Sequence, residues 1–423
     1  MFFASQCNRL HQINSTHSWV NRKVRLEDGK QMEKIKVGII GTGFIGPTHI
    51  EAIRRLGFVE VVALAETSQE QAERKAAELG IPKAYGDYLE MLRDSEIQVV
   101  HNCTPNHVHF AINKEIILAG KHVISEKPLA MNSEESAELL ALAQKQGVVH
   151  GVNFNYRQHA SVQNLRAKIA NGDLGKVNLV HGSYLQDWLL YETDFNWRLA
   201  PEVGGKSRAV ADIGSHWCDT VQFVTGKKIV EVFADLATVI PVRKKAIGSV
   251  ATFSTQSTED VEYEDVSINT EDYASVLVRF EDGSRGVFTV SQVSAGRKNR
   301  LSFEIDGSKS SAYWNQEEPE KLWMGHRDKP NEILLADPAL FAPEARSAIH
   351  HPGGHNEGWP DALKNMMLNY YTFIRDGKDP LKDQANFATF EDGHISMAIT
   401  DAILESHEQQ KWVKVQAEKE VLV

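Results

Sequence analysis

Short apolar runs alternate with amphipathic segments over the first third of the chain. The β-branched runs predict buried strands at residues 34–40, 60–65, 98–102, 122–125 and 148–153. The segments between them predict helices at residues 47–56, 68–79, 106–119 and 132–147. Two of these helices begin with capping-box spacing, Ser68 with Gln71 and Asn132 with Glu135. Repeated strand–helix–strand units with short links predict a parallel, doubly wound sheet.

After residue 155 the pattern changes to longer alternating strands. We predict a helix at 159–170, a strand at 177–185, a helix at 212–224 and mostly strands from 229 to 314. Asp282-Gly283 and Asp306-Gly307 are hairpin signals, and two helices follow at 361–375 and 391–406. This order predicts an α/β first domain at 34–155. It also predicts an α+β second domain at 156–423, with a large, mostly antiparallel open sheet.

Two segments do not fit this alternation. Residues 1–31 are polar and aperiodic and lack the basic and apolar regions of a signal peptide, so we expect residues 1–33 to be a poorly ordered extension or leader. An arm that packs on a partner subunit is the alternative. Residues 249–272 hold many acids and no Lys or Arg, which predicts a solvated loop.

Composition excludes several classes of protein. Of 423 residues, 42% are apolar and 24% charged, which is ordinary for a folded globular chain. The net charge of −11 disfavours nucleic-acid and anionic-membrane partners, and no apolar run approaches the roughly 18 residues of a membrane span. Only Cys7, Cys103 and Cys218 occur, so no disulfide framework is indicated and we predict a cytoplasmic protein.

A glycine-rich loop follows the first predicted strand and opens the first helix. Gly41-Thr42-Gly43-Phe44-Ile45-Gly46 fits G-x-G-x-x-G in the strand–turn–helix context that the motif requires. The first glycine permits the tight turn, the second lets a pyrophosphate approach, and the third lets helix and strand pack closely. We therefore predict a Rossmann dinucleotide-binding domain in which Gly41, Gly43, Phe44, Ile45 and Gly46 contact the cofactor.

Glu66 ends the second strand, 25 residues after Gly41. A carboxylate at that point accepts hydrogen bonds from both ribose hydroxyls and repels a 2′-phosphate. No Lys or Arg occurs at positions 67–69 to hold such a phosphate. The cofactor is therefore predicted to be NAD (NAD+/NADH) rather than NADP.

The third strand of the pattern ends in a polar loop that faces the same crevice. Thr104, Pro105, Asn106 and His109 lie there and are predicted to line the cofactor site. The spacing of His101, Cys103, His107 and His109 matches no ordinary zinc pattern, so we predict no metal.

Four further motifs occur in a recognisable order. They are Glu126-Lys127-Pro128-Leu129-Ala130, Asn153-Phe154-Asn155-Tyr156-Arg157, Gly172-Asp173-Leu174-Gly175-Lys176-Val177 and Asp212-Ile213-Gly214-Ser215-His216-Trp217-Cys218-Asp219. With the glycine loop, they resemble the glucose–fructose oxidoreductase / inositol dehydrogenase / MocA (Gfo/Idh/MocA) family. The likeness runs from about residue 35 to about residue 415, and residues before 32 have no counterpart.

The chemistry of three residues can be argued beside the resemblance. Asp212 and His216 are four positions apart and share a helix face, so the carboxylate can orient the imidazole as a general base with a pKa near neutrality. Lys127 precedes a proline, is biased to an extended backbone, and can donate to an alkoxide-like oxygen at the mouth of the crevice. The resemblance implies the same trio as catalytic residues and a cis bond before Pro128.

The substrate wall is predicted from position and resemblance together. Besides the trio, which touches substrate, the expected substrate-binding residues are Asn155, Arg157, Gln186 and His355. The resemblance also places Glu126, Lys127, Trp197 and Arg198 beside the cofactor. A simple surface loop is as compatible with His350–His355 as an arm that reaches the active site.

These features predict an NAD-dependent oxidoreductase that moves a hydride between a secondary alcohol of a sugar, sugar derivative or inositol and the nicotinamide. Two alternatives stay open. Some members of the family are glycosidases that oxidise C3 transiently and regain the hydride, and some relatives are non-catalytic regulators. The resemblance also implies a homodimer or homotetramer that assembles through the sheet of the second domain.

Overall fold

The computed structural model describes residues 33–247 and 262–417. The predicted leader lies outside the described residues except for Glu33, and so does most of the predicted acidic loop. The described end of that loop forms a strand at Tyr263–Ser267 instead, which pairs with another at Val242–Ala246. Within the described ranges, no helix has the length and apolar character needed to cross a bilayer.

The first half is a parallel sheet with helices on both faces. Its strands are β1 (Ile35–Ile40), β2 (Val59–Ala65), β3 (Lys83–Tyr85), β4 (Val99–Asn102), β5 (His122–Ser125) and β6 (His150–Val152), in the order β3-β2-β1-β4-β5-β6. Its helices are α1 (Ile45–Arg54), α2 (Gln69–Leu79), α3 (Tyr88–Arg93), α4 (His109–Leu118) and α5 (Ser133–Gln146). The strand order reverses between β1 and β4, so the crevice opens at the carboxyl ends of these two strands.

Local signals explain where most of these helices begin and end. The Ser68 side chain accepts from the backbone of Gln71, and Asn132 accepts from Glu135, as the capping-box spacing predicts. Gly80 and Gly147 end α2 and α5 in the left-handed conformation. β3 and α3 were not predicted, because three half-buried residues and a six-residue helix carry too little periodicity to detect.

The second half is built on a large open sheet. Its strands are β7 (Val177–Leu185), β8 (Ile229–Ala237), β11 (Tyr273–Phe280), β12 (Arg285–Ser291), β13 (Arg300–Gly307), β14 (Ser311–Asn315), β15 (Lys321–Gly325), β16 (Glu332–Leu335) and β17 (Val413–Lys414), with β9 and β10 forming the separate pair at 242–246 and 263–267. All neighbours in the sheet are antiparallel except β7 and β12. The Asp282-Gly283 hairpin is confirmed, whereas Asp306 and Gly307 belong to β13 and the chain turns after them.

Helices cover one face of this sheet. The helices packed on its strands are α6 (Ala160–Ala170), α8 (Ser215–Thr225) and α10 (Phe390–Gln409). The second half also contains the short α7 (Pro201–Gly204) and α9 (Trp359–Arg375), which packs against α1 instead. A π-helical turn at Val210–Gly214 leads directly into α8, so the predicted helix at 212–224 begins with a wider turn than expected. Trp217 on α8 is fully buried and stacks on Phe288 of β12 at 4.4 Å, which anchors the helix to the sheet.

The last helices return to the first half of the chain. Met366, Met367, Tyr370 and Tyr371 of α9 share one apolar core with residues of β1 and α1. The hydroxyl of Tyr370 donates to the backbone carbonyls of Val123 in β5 and of Val149, which directly precedes β6. Packing thus crosses the predicted boundary at 155/156, and the floor of the crevice is built from both halves.

Candidate active site

The glycine loop joins β1 to α1 at the mouth of the crevice. Gly41 has φ +85°, and a Cβ there would lie 2.9 Å from the carbonyl oxygen of Cys103. A Cβ on Gly46 would overlap the carbonyl oxygen of Gly41, so this glycine allows α1 to pack on β1. A Cβ on Gly43 would meet no protein atom within 4 Å. The loop therefore packs closely on the protein at Gly41 and Gly46 and is open at Gly43, where a pyrophosphate would fit.

Phe44 and Ile45 begin α1 and differ in where their side chains go. Phe44 is 66% exposed at the crevice mouth, while Ile45 packs against the core formed by β1, β2 and α9. We therefore expect Phe44 to meet the cofactor with its ring and Ile45 to meet it through its backbone.

Glu66 lies beside the glycine loop, at the end of β2. Its Oε1 accepts from both the backbone N–H and the hydroxyl of Thr42, each at 2.6 Å. Its Oε2 accepts from the Gln71 side chain at 3.1 Å. The carboxylate is thus held at the edge of the crevice where a ribose would lie. Thr42, the variable residue of the glycine motif, and Gln71 were not predicted as members of this site.

The loop after β4 is tied down from behind. The Thr104 hydroxyl donates to Asn102 at 2.6 Å, and the Asn106 side chain donates to the carbonyl of Gly204 at 2.8 Å. His109, predicted to touch the cofactor, is only 1% exposed, and its ring nitrogens lie 2.6 Å from the Pro128 carbonyl and 2.8 Å from the Thr104 carbonyl. Burial lowers the pKa of His109. The prediction is corrected: His109 braces the crevice wall, because both its nitrogens face the protein.

Lys127 and Asp212 form the centre of the crevice. Lys127 Nζ lies 2.8 Å from Asp212 Oδ1 and 3.0 Å from the Asp212 carbonyl oxygen, and the bond before Pro128 is cis, as the resemblance implied. The other carboxylate oxygen of Asp212 accepts from Gln292 at 2.9 Å. Arg198 Nε lies 3.5 Å from Asp212 Oδ1. Nothing in the sequence near Asp212 predicted that Gln292 or Arg198 would contact it.

The charges around Asp212 decide its ionisation. Burial alone would raise the pKa of this carboxyl, but the positive charges of Lys127 and Arg198 outweigh burial and hold the pKa well below its usual range. Asp212 is therefore a carboxylate that keeps two cations inside the crevice.

His216 lies in the first turn of α8, but Asp212 does not orient it as predicted. The carboxylate oxygens of Asp212 bond to Lys127 and Gln292. His216 Nδ1 is buried without a hydrogen-bond partner among the described residues, and the ring packs edge-on against Tyr156 at 4.8 Å. Burial, followed by the charge of Lys127, lowers the pKa of His216 to about 3, so the expectation of a pKa near neutrality was wrong for this structure. At neutral pH the imidazole is uncharged.

A polar and aromatic wall stands at the end of β7. The Gln186 side chain donates to Asn299 at 3.0 Å and accepts from Trp188 at 2.9 Å. The Tyr184 hydroxyl donates to Asn299 at 2.5 Å and lies 2.7 Å from the Tyr156 hydroxyl. Only Gln186 of this network was predicted to bind substrate. Tyr184 precedes it by two positions in an alternating strand, so the period of the strand was the available signal.

Asn155 and Arg157 were both predicted to bind substrate, and the structure separates them. Asn155 Nδ2 is buried with no hydrogen-bond partner within the described part of the chain, as expected of a donor that a ligand would use. Arg157 is buried elsewhere and binds Asp219 through two nitrogens and Asp392 at 2.7 Å. The prediction for Arg157 is corrected, because its guanidinium is already occupied by two carboxylates.

The remaining predicted residues lie at different distances from this centre. Trp197 is stacked under the Arg198 guanidinium at 4.4 Å, which connects it to the crevice through Arg198. His355 lies in an exposed loop, and its ring contacts the carbonyl of Pro352 at 3.1 Å. No described contact joins His355 to the trio, so the surface-loop alternative describes it better than a substrate contact.

The residues weighed for metal binding do not converge on an ion site. The side chains of His101 and Cys103 belong to a buried hydrogen-bond network around His49, and His109 braces the loop. Within the residues that the structure describes, the one group with metal-like spacing is His181, Glu304 and Asp306 on β7 and β13, which belongs to the second sheet.

Comparison with known families identifies both halves. Residues 35–154 match the family described as "Oxidoreductase family, NAD-binding Rossmann fold", and residues 162–313 match the GFO/IDH/MocA C-terminal domain. The levoglucosan dehydrogenase of Pseudarthrobacter phenanthrenivorans is 31% identical, with 91% of this chain and 99% of the relative aligned. The myo-inositol 2-dehydrogenase of Thermotoga maritima is 24% identical over 90% of this chain and 99% of its own length.

A solved structure shares the architecture as well. A levoglucosan dehydrogenase in complex with NADH and levoglucosan superposes with a TM-score of 0.80 at 27% identity, covering 91% of this chain and all of its own. The predicted resemblance, the two-part fold and NAD as the cofactor are thereby confirmed.

Proposed function

The chain belongs to the GFO/IDH/MocA family of NAD-binding oxidoreductases, and from that premise we propose that it oxidises one secondary hydroxyl of an anhydrosugar, sugar or inositol. It is an NAD-dependent oxidoreductase of the sugar and polyol dehydrogenase type. The observation that carries this proposal is the Lys127–Asp212 pair at 2.8 Å beside the uncharged imidazole of His216, whose Nδ1 has no hydrogen-bond partner among the described residues. That arrangement suits an alcohol whose oxygen gains negative charge as it reacts.

The first domain holds the cofactor by its loop and its acid. The open front of the loop at Gly43 and the helix start behind it would bind the pyrophosphate, and Glu66 would accept from the ribose hydroxyls. When bound, NAD would supply the acceptor for the hydride of the alcohol carbon, and with the hydroxyl proton passing to a base the products would be a ketone, NADH and one proton. Everything else in the reaction falls to side chains of this protein.

Lys127 supplies the charge that the reacting oxygen needs. A lysine ammonium has three donor hydrogens, and Asp212 accepts two of them through its carboxylate and its carbonyl. The third remains for the substrate oxygen. Asp212 and Gln292 fix the direction of the ammonium, so the donor is in place before charge develops.

His216 takes the proton from the same hydroxyl. Its ring is uncharged at neutral pH and its Nδ1 has no hydrogen-bond partner among the described residues, while the neighbouring ammonium of Lys127 favours ionisation of the alcohol. The two groups therefore act together: Lys127 stabilises the oxygen as His216 removes the proton.

The substrate class follows from the wall and the relatives. Gln186, Asn299 and the Tyr184 hydroxyl offer donors and acceptors beside aromatic faces, which suits a ring with several hydroxyls. The levoglucosan and inositol dehydrogenases among the relatives support the same class.

We also propose self-association through the outer face of the second sheet, where Leu277 and Val287 pair across β11 and β12 and are 45% and 39% exposed.

A substrate panel tests the proposal. Levoglucosan, inositols, aldoses and sugar acids are incubated with the full-length protein and NAD, and NADH absorbance is followed. We expect accumulation of NADH with a cyclic secondary alcohol. Aglycone release from glycosides without net NADH would instead indicate the glycosidase alternative, and inactivity toward every member would contradict the proposal.

A further inference from the structure

Four buried side chains, from α1, β4, α9 and the loop after β5, form one hydrogen-bonded line behind Lys127. His49 of α1 lies between Glu126 and His101, with its Nε2 2.9 Å from Glu126 Oε1 and its Nδ1 2.9 Å from His101 Nδ1. His101 Nε2 lies 2.6 Å from the hydroxyl of Tyr371 on α9. The two histidines and Tyr371 are fully buried, and Glu126 is 7% exposed. Polar groups buried this deeply need partners, so the line is a built feature.

The direction of the hydrogen bonds can be read from the Tyr371 end. Within the described residues the Tyr371 hydroxyl contacts only His101, so its hydrogen has an acceptor only if it donates to His101 Nε2. His101 then carries its proton on Nδ1 and donates to His49 Nδ1. The Cys103 thiol lies 3.5 Å from the same His49 nitrogen, which agrees with an acceptor there.

The line ends on a carboxylate. Because His49 Nδ1 accepts, His49 Nε2 carries the proton and donates to Glu126 Oε1, which also accepts from Asn153 at 2.6 Å. Burial alone would raise the pKa of Glu126, but the hydrogen bond from His49, the charge of Lys127 and the hydrogen bond from Asn153 oppose burial and keep the pKa below its usual value. Glu126 therefore stays ionised.

Glu126 in turn holds the peptide that carries the lysine. Its Oε2 accepts from the backbone N–H of Lys127 at 3.2 Å, and its own backbone carbonyl accepts from Ser125 at 2.9 Å. This is the peptide from which Lys127 extends to Asp212. Both carboxylate oxygens of Glu126 accept from protein donors, as those of Glu66 do, and its predicted cofactor contact stays a prediction.

We propose that His49, His101 and Tyr371 are positioning residues that hold Glu126 against the Lys127 peptide and so aim the ammonium at the substrate oxygen. The inference rests on the proposed function, because it gives Lys127 a role in the reaction. Tyr371 lies 270 positions from His101 in the chain. The second half of the chain would thereby control the geometry of a residue in the first half.

Other titratable groups surround the line and limit what pH can do to it. They are Cys103 after β4, His109 of α4, Lys127 after β5, Asp212 and His216 at the start of α8, and Tyr370 of α9. Burial raises the pKa of Tyr371 and of Cys103 far above the usual values, so neither loses its proton in the working range. A proton can enter the line only on the acid side, where it would reverse the direction of the bonds.

Helix α9 offers a matched control. Tyr370 is also fully buried, and its hydroxyl donates to the carbonyls of Val123 and Val149, at 3.0 Å each. Tyr370→Phe and Tyr371→Phe thus remove the same atom from neighbouring positions, and only the second touches the line.

The kinetic test uses both full-length variants with NAD and the best substrate of the panel. For Tyr371→Phe we expect kcat to fall about tenfold, as when other supporting hydrogen bonds are lost, with KM and NAD affinity nearly unchanged. The acidic limb of the kcat–pH profile should move to higher pH, because without the Tyr371 hydroxyl nothing fixes the direction of the hydrogen bonds along the line. Tyr370→Phe should lower the thermal midpoint similarly but leave kcat and the limb in place. Equal kcat losses in both variants would overturn the proposal.

A spectroscopic test needs no substrate and separates this inference from the proposed function. Nitrogen-15 NMR of histidine-labelled protein should show His49 protonated on Nε2 and His101 on Nδ1, assigned with His49→Gln and His101→Gln. Tyr371→Phe should perturb His101, whereas Tyr370→Phe should not. Two rings with the same tautomer, or a charged ring at pH 8, would overturn the line. If the tautomers agree while the substrate panel fails, only the proposed function is lost.

Discussion

Two ion clusters, one half-buried and one buried, lie along the π-helical turn and α8, and they differ in the balance of charge. In the crevice one carboxylate, Asp212, lies between two cations, Lys127 at 2.8 Å and Arg198 at 3.5 Å. Around Asp219 of α8, one cation, Arg157, lies between two carboxylates, those of Asp219 and Asp392. The first cluster has a positive charge to spare and the second has none.

The pKa values follow this balance. The two cations hold the pKa of Asp212 well below its usual range despite burial. Burial raises the pKa of Asp219 to about 7. The charge of Arg157 opposes this rise but does not cancel it, since Arg157 also binds Asp392. An ion cluster is therefore expected to take part in catalysis when one of its donors faces the crevice without a carboxylate partner. It is expected to stabilise the fold when carboxylates occupy all of its donors. The experiments below test this distinction, beginning with the largest expected effect on turnover.

The imidazole beside the crevice cluster should matter most. His216→Ala should lower kcat by roughly two to four orders of magnitude, because the hydroxyl proton loses its acceptor. NAD binding, measured by fluorescence quenching, should be retained. Loss of NAD binding or of the folded state in this variant would identify a structural histidine instead.

Removing the spare cation should come next. Lys127→Ala should lower kcat by about two to three orders of magnitude with smaller changes in KM, since the charge acts on the developing alkoxide. Lys127→Arg should rescue poorly, because a planar guanidinium does not replace a compact ammonium. Steady-state kinetics on both variants measures this, and near-normal turnover in Lys127→Ala would leave lysine outside the mechanism.

The saturated cluster should behave in the opposite way. Arg157→Met leaves Asp219 and Asp392 without their cation and should lower the free energy of unfolding by about 3–5 kcal/mol. The kcat of the molecules that remain folded should stay near the original value. Urea titration with activity measured per folded molecule checks this. A specific loss of kcat would return Arg157 to the substrate site, as the sequence had suggested.

A lone carboxylate should set the choice of cofactor. Glu66 has no cationic partner among the described residues, so it should repel a 2′-phosphate and the protein should strongly prefer NAD. Glu66→Ser combined with Thr67→Arg should shift the ratio of kcat/KM values toward NADP by about tenfold or more, which corresponds to ~1.4 kcal/mol. Thr67→Arg alone is the control. Equal use of NAD and NADP by the unmodified protein would contradict this reading.

The smallest effect concerns the pH dependence of stability. Burial lowers the pKa of His150 and His159 to about 4 and of His216 to about 3, so below about pH 6.5 the unfolded chain binds protons that the folded chain does not. The free energy of unfolding should therefore fall as pH drops from 6.5 toward 4. Asp219 has the opposite sign, because its raised pKa keeps a proton in the folded state that the unfolded state releases above about pH 4.

Asp219→Asn removes that opposing contribution, so its thermal midpoint should fall more steeply with acidification than that of the unmodified protein. Thermal scans between pH 8 and pH 4.5 measure both slopes. Parallel curves would show that Asp219 is ionised in the fold.

Features encoded within a few residues of one another could be predicted from the sequence. The cradle at Gly41 and Gly46, the caps at Ser68 and Asn132, and the position of Glu66 depend on backbone conformation and short spacings. The strand at Val177–Leu185 is observed with its predicted bounds. The resemblance of the motifs added the family and the prediction that Lys127, Asp212 and His216 belong to the catalytic site.

The partner of each buried charge was decided only by the tertiary structure. Asp212 is four positions from His216, yet it binds Lys127, which is 85 positions away, because an ammonium competes better for a buried carboxylate than an uncharged ring does. Arg157 reaches Asp392 across 235 positions. Such pairings leave no local pattern, since they depend on how α8, α9 and α10 pack against the two sheets. The sequence by itself determined which groups the protein carries and the local backbone that presents them, and packing determined which of them are saturated and which are left free to react.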